Sequence, residues 1–337
     1  MLFQAAFLRV FAGLSTLSFT LSAARLFQSA APSPMLVATV PETRSLENLA
    51  VRHNGQILVT STQSSSLFLA SPNKRGWASS IVIHQFANLT ALLGIAELEE
   101  DVFYVTGAVS PTAANPYNEI WKVDVRPMRV TANGRVIEPA VVSHVVTVTS
   151  GALYNGMTRL ASDDKRNILV ADSISGTVTR VDVQTGNIAV VITDSRLGIS
   201  NETNLAIGVN GIHTHGDRLF FTNLNQGIFG LVSISKATGE QTGSVEVLAS
   251  ELFVADDFVL SDDAKKAWVT MNGAYNLIEV DVATRTSRVF IDSTLLGAES
   301  SVAFAREECT NRTTMYITTS QPSGNTTIGG LVGLYMD

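Results

Sequence analysis

A single cysteine, Cys309, stands in the 337 residues of the chain. No intrachain disulfide framework and no thiolate zinc site can be built from it. No histidine or partner motif accompanies it in sequence, so it reads as a buried or idle thiol rather than a nucleophile. Basic charge is also scarce, with 23 Lys and Arg against 30 Asp and Glu and a formal net charge of −7. A nucleic-acid binder needs a basic stripe to replace the counterions on phosphate, and that class is excluded. Charged residues reach only 16%, against 45% hydrophobic, which excludes the disordered composition and supplies a sizeable core. The longest apolar run, Val10 to Leu21, is about 12 residues, short of the roughly 20 that span a bilayer.

That run follows a lone Arg9 and precedes small residues at Ser22, Ala23 and Ala24, and again at Ser29, Ala30 and Ala31. This is the layout of a secretory signal over residues 1–31, with cleavage after Ala24 or Ala31. Four Asn-x-Ser/Thr sequons, at Asn88, Asn201, Asn311 and Asn325, fit passage through the secretory route as glycosylation sites. The expectation is a secretory-pathway or secreted protein with no stable membrane insertion once the signal is gone.

From residue 36 to 337 the chain reads as strands, short Val, Ile, Leu, Phe and Thr runs between Gly, Asn, Asp and Ser turns, with little helical periodicity. Three apolar residues followed by Thr or Ala recur at Ile57–Thr60, Phe103–Thr106, Ile168–Ala171, Leu219–Thr222, Ala267–Thr270 and Met315–Thr318. Each copy follows a short motif of two mostly small or polar residues and an apolar one, opening at Glu47, Leu93, Asn155, Asn210, Asp256 and Ser300. The openings are separated by 46, 62, 55, 46 and 44 residues. Six copies of several short strands at a period near 50 predict a six-bladed β-propeller, all-β, as one domain over 36–337. Leu36 to Val40 is a further strand that can pair with the last blade and close the ring.

The residue that opens each innermost strand then lies at one mouth of the central channel. Glu47, Asn155, Asn210 and Asp256 are hard oxygen donors of the type that suits Ca²⁺, with no His or Cys beside them to favour zinc. Asn-Gly and Asp-Asp also serve as plain turn residues at a strand start. Asp257, one residue on, is expected to face away. His213 and His215 share one side of a strand, and His213 is the candidate general base. His53, His84 and His144 have no companion acids in sequence and read as structural. Trp121, Trp268, Phe220 and Phe221 read as blade core, whereas Tyr154 precedes Asn155 near the mouth.

Asn155-Gly-Met, Asp172-Ser with Gly176-Thr-Val-Thr-Arg-Val-Asp, Asn210-Gly-Ile and Ala255-Asp-Asp-Phe together resemble the senescence-marker-protein/gluconolactonase superfamily of six-bladed propellers. In its lactonase and paraoxonase branches, the resemblance implies one catalytic Ca²⁺ held at Glu47, Asn155, Asn210 and Asp256, with no organic cofactor. The leader, Val-Pro-Glu before the first motif and the scattered sequons are similar to the fungal branch, whose members serve secondary metabolism. Some of those are hetero-Diels–Alderases that join a polyketide-derived quinone methide to a terpene alkene. That chemistry needs an apolar pocket and a few donors to the polarised oxygen. Leu93, Tyr154, Met157, Ile212 and Phe258 are the expected walls for a small apolar substrate, and Asn155, Asn210 and His213 the donors. The whole-chain likeness puts this activity first, a Ca²⁺-dependent lactonase or esterase second, and a non-catalytic binding propeller third.

Overall fold

The computed structural model describes residues 32–72, 80–109, 117–131, 133–149, 153–201, 203–306 and 313–336. Residues 1–31, Cys309 and Asn311 lie outside these. Among the described residues there is no helix, and six four-stranded antiparallel sheets form the blades of a propeller. In chain order, blade 1 holds Leu49–Val51, Ile57–Val59, Ser66–Ala70 and Ile81–Gln85. Blade 2 holds Ala91–Glu99, Val102–Val109, Tyr117–Asp124 and Val141–Val148, and blade 3 Tyr154–Arg159, Asn167–Asp172, Thr177–Asp182 and Ile188–Thr193. Blade 4 holds Val209–His215, Arg218–Asn223, Ile228–Ser233 and Glu246–Ala249, and blade 5 Ala255–Leu260, Lys266–Met271, Asn276–Asp281 and Thr286–Asp292. Blade 6 is built from Val302–Phe304, Thr313–Ser323 and Thr326–Met336, with Ser33–Val40 as its outermost strand. That strand runs antiparallel to the last one, Val40 opposite Gly329 and Ser33 opposite Tyr335, so the two ends of the domain share a sheet as expected. The longest repeat, blade 2, carries an extra hairpin of Arg129–Val130 and Val136–Glu138.

The hydrophobic core is six cores, one between each pair of neighbouring blades. Successive residues of a strand serve opposite interfaces: Phe221 packs toward blade 3 and Phe220 toward blade 5. Ile57 and Val59 pack toward blade 6, and Leu58 toward blade 2. Burial on both faces explains why these strands read as continuous apolar runs rather than alternating ones. Trp268, Phe220 and Phe221 are buried there as expected, and Trp121 stands edge-on to Phe86 and His144.

The recurring threonine locks one blade to the next. Thr60 Oγ1 donates to the Leu93 carbonyl at 2.6 Å, Thr270 to that of Ser300 at 2.7 Å and Thr318 to that of Glu47 at 2.6 Å, and Thr222 makes the equivalent bond to Asp256. The same hydroxyls accept the N–H of Asn48, Gly211, Asp257 and Ser301 at 2.8–3.1 Å. Thr106 breaks the series, its buried Oγ1 having no partner.

Candidate functional site

The two-residue motif is a repeated irregularity of the innermost strands. In blades 2 to 5 the register slips at Leu93-Gly94, Asn155-Gly156, Asn210-Gly211 and Asp256-Asp257. The extra residue places side chains three apart on one blade face: Leu92 with Ile95, Tyr154 with Met157, Val209 with Ile212, and Ala255 with Phe258. Each glycine abuts the next blade. A Cβ on Gly94 would lie 2.2 Å from the Asn155 carbonyl oxygen, and one on Gly156 2.1 Å from that of Asn210. On Gly211 it would lie 2.3 Å from Asp257 Oδ1.

The ring joins much as its register implies. Ser300 Oγ lies 2.9 Å from Glu47 Oε2 and 2.8 Å from Asp256 Oδ2, and Asn210 Nδ2 donates to Asp256 Oδ1 at 2.7 Å. Asn272, from the turn beyond Met271, also donates to Asp256. Asn155 is buried at its ring position, its Oδ1 without a hydrogen-bond partner. Burial, then the Asp256 charge, raises the Glu47 carboxyl well above the usual range. Burial likewise pushes Asp256 up to about 7, against the pull of its bonds from Asn272 and Ser300. One hydroxyl brings one proton, and it cannot donate to two carboxylates at once. The pair therefore calls for a shared extra proton or a cation. Two buried acids and, at the equivalent ring position of blade 3, an amide oxygen lacking a donor fit a hard divalent ion, although Asn210 donates its Nδ2 to Asp256 and must turn its amide over to serve as a ligand. Among the described residues no three His, Cys, Asp or Glu side chains gather as a metal site, so such a donor set rests on amide and hydroxyl oxygens beside the two acids.

A second polar layer lies one residue along. Asp257 does not face away: Oδ2 accepts from Ser301 Oγ at 2.6 Å and Oδ1 is 3.0 Å from His213 Nε2. Ser301 Oγ also lies 3.1 Å from Asn48 Oδ1. The slip in register is what brings both aspartates inside.

Beyond this layer the channel widens into a cavity of about 430 Å³ to which all six innermost strands contribute. The residue three beyond each ring member lines it: Ala50, Ala96, Thr158, His213, Val259 and Ala303. Five of these are small or β-branched, and that is why the cavity exists. Arg159, Arg306 and Glu97 stand farther along. His213 thus belongs to this side of the ring and not to the mouth expected from sequence. His215 is not beside it in the cavity but bonds the Asp262 carbonyl.

Of the expected walls, Met157 lines the cavity and Leu93 is buried at the ring. The other three are corrections. Tyr154 is buried in the core between blades 2 and 3, and Ile212 in that between blades 3 and 4. Phe258 lies in the core between blades 4 and 5, edge-on to His213. The altered parity across the register slip turns Ile212 and Phe258 into the blade faces, and Tyr154, one residue before Asn155, faces its blade by ordinary alternation. His53 is a further correction, since Asp101 and Glu100 approach it at 3.5 and 3.6 Å. Asn88, Asn201 and Asn325 are exposed. Ser301, Asn48, Asn272, Arg159, Arg306 and Glu97 were not singled out in the sequence; a constant offset from the ring residues would have pointed to the first two.

No protein-family model and no curated protein matches the chain. Among solved structures, a luciferin-regenerating enzyme superimposes with a TM-score of 0.62 at 12% identity, over 90% of this chain and 95% of its own. Regucalcin of Agrobacterium tumefaciens, described as a calcium-binding protein, gives 0.58 at 13%, over 91% and 95%. The major allergen Mala s 1 of Malassezia sympodialis gives 0.64 at 11%, over 91% and 96%. At these identities the likeness is one of fold, the six-bladed frame.

Proposed function

We propose that the chain is a Ca²⁺-dependent hydrolase of lactones or related esters, with Glu47, Asn155, Asn210 and Asp256 holding the ion. The observation that carries this is the pair of buried acids bridged by one serine hydroxyl, with the unpartnered amide oxygen of Asn155 at the equivalent position of blade 3. The calcium-binding description of the regucalcin neighbour lends support. A Ca²⁺ bound there supplies Lewis-acid polarisation of an acyl oxygen and a more acidic water. The chain's own part is to hold and orient. Asp257 fixes His213 through Nε2, which leaves Nδ1 for a molecule in the cavity, the arrangement of a proton acceptor steered by a carboxylate.

The hetero-Diels–Alderase reading ranks second. It keeps Met157 on the cavity wall and Leu93 at the ring but loses Tyr154, Ile212 and Phe258 to blade cores, and it gives the buried acids no task. We also propose a secretory route, supported by the signal-like residues 1–31 and the three exposed sequons. The activity is tested on purified mature protein with a panel of γ- and δ-lactones. Hydrolysis should stop in chelator, return with Ca²⁺ and fall at least about a hundredfold in Asp256→Asn, the scale of losing an electrostatic catalytic group. Turnover indifferent to chelator contradicts it.

A further inference from the structure

We propose that the cavity beyond the polar ring binds a small amphipathic organic anion, a monocarboxylate whose charged end meets Arg306 and whose apolar part lies along Ile95, Met157, Val259 and Phe304. The site does not depend on the hydrolase reading. It begins two residues past the ring on the innermost strands and is argued from the charge of its own walls.

The walls are mostly apolar and the polar groups few and convergent, the make-up of a small-molecule site, and about 430 Å³ lies within the usual range. Two guanidinium groups face one carboxylate. Arg306 pairs with Glu97 through a single Nη, and its side chain is 46% exposed, so several N–H groups remain for a ligand. Arg159 is held differently. Its Nε and Nη2 donate to the Glu97 carbonyl and its Nη1 to the Ser162 carbonyl at 2.9 Å. Carbonyl oxygens satisfy those donors without neutralising the charge. Burial, and the nearby Arg306 against the help of Glu97, lowers the pKa of Arg159 accordingly. The cavity lining therefore carries two guanidinium groups against one carboxylate in a chain of net charge −7, with the Asp257 carboxylate standing behind His213. Arginine at its rim also suits the two oxygens of a carboxylate in a forked geometry.

The test is calorimetric titration with octanoate and its neutral isostere octanamide, in chelator and again in Ca²⁺. No turnover is needed, so failure of the hydrolase reading leaves the result intact. Octanoate should bind one per chain at least about tenfold tighter than octanamide, the scale of a hydrogen bond to a charged group. Arg306→Gln should remove that preference and leave octanamide unchanged. Glu97→Gln should do the opposite and tighten octanoate severalfold, because it frees Arg306 while Gln still accepts the Asp101 N–H that Glu97 Oε1 now takes at 2.8 Å. A merely damaged fold cannot mimic a gain. Equal affinity for acid and amide, no octanoate binding at about 10 mM, well above the range of ordinary ligands, or a preference that survives Arg306→Gln overturns the proposal.

Discussion

Asp256 and Asp257 are consecutive on one strand, yet both bury their carboxylates inside the channel, one bonded to Asn210 and the other to His213. A regular strand would send one of them to a blade face. The slip in register between Ala255 and Phe258 keeps both inside, and Gly211 of the preceding blade leaves the space that the Asp257 carboxylate fills. The channel therefore has two acid layers with different partners, and the two residues should fail differently. Asp256→Asn should abolish Ca²⁺ binding. Asp257→Asn should keep it while lowering kcat/KM, because His213 loses its orienting partner. Calcium titration beside lactone kinetics separates them, and equal loss of calcium in both variants contradicts the division.

Without calcium, the buried acids should make stability fall with rising pH. Asp256 is raised from 3.8 to about 7 and Glu299 from 4.5 to about 7, both by burial first, and Glu47 is raised as well. A carboxyl with a raised folded pKa stabilises fully below its unfolded value and loses that contribution as pH climbs to the folded one. The melting temperature in chelator should therefore decline between about pH 4 and pH 7, by an amount on the order of 4 kcal/mol for Asp256 alone at most. Below about pH 4 the opposite holds, since Arg52 outweighs burial and keeps Asp101 below its ordinary value. Calcium should flatten the neutral arm. A melting temperature that rises from pH 5 to pH 7 in chelator is the contrary result.

The inter-blade threonines make an internally controlled mutation series. Thr318→Val and Thr270→Val each strip a donor from a buried carbonyl and should cost about 1–3 kcal/mol. Thr106→Val removes a hydroxyl that has no partner and should be neutral or stabilising. Urea midpoints measure all three, and a Thr106 variant as damaged as the others speaks against the blade-to-blade lock.

Gly156→Ala should be among the most damaging single-methyl changes in the protein. Its Cβ would meet the Asn210 carbonyl oxygen at 2.1 Å, and that backbone belongs to another blade. Overpacking of this kind costs about 1–3 kcal/mol or more. Gly216→Ala, at a positive φ of 64° with open space around it, should cost only about 1 kcal/mol from backbone strain. Comparable losses at the two positions would show that blade contact is not what fixes the glycine.

The six blades were legible because the second strand of each blade carries three apolar residues and then threonine, or alanine at Ala171, and four of the five threonines bond the next blade. The meeting of Glu47, Asn210 and Asp256 was legible for the same reason, being in phase with the repeat, and Asn155 is buried at the position that the phase gives it. The register slip was not read, although Gly94, Gly156 and Gly211 stand inside strand patterns where a bulge is common; Asp256-Asp257 carries no such sign. Parity counted through it sent Asp257 outward and brought Ile212 and Phe258 to a channel they do not line, whereas Tyr154 was placed there by its neighbour Asn155. The cavity was missed because five of the six residues three beyond the ring are alanine, threonine or valine, which carry no chemical signal in the sequence. Arg159, Arg306 and Glu97 come from three blades, and no local pattern links them.

In the proposed calcium-bound state a divalent ion takes the place of a proton shared by Glu47 and Asp256. Calorimetric titration of the metal-free protein with Ca²⁺ near pH 6.5, in buffers of different ionisation enthalpy, reads both quantities together. One Ca²⁺ should bind per chain with release of roughly one proton, both lost in Asp256→Asn. No binding heat and no proton release, with an unchanged melting temperature, would contradict it.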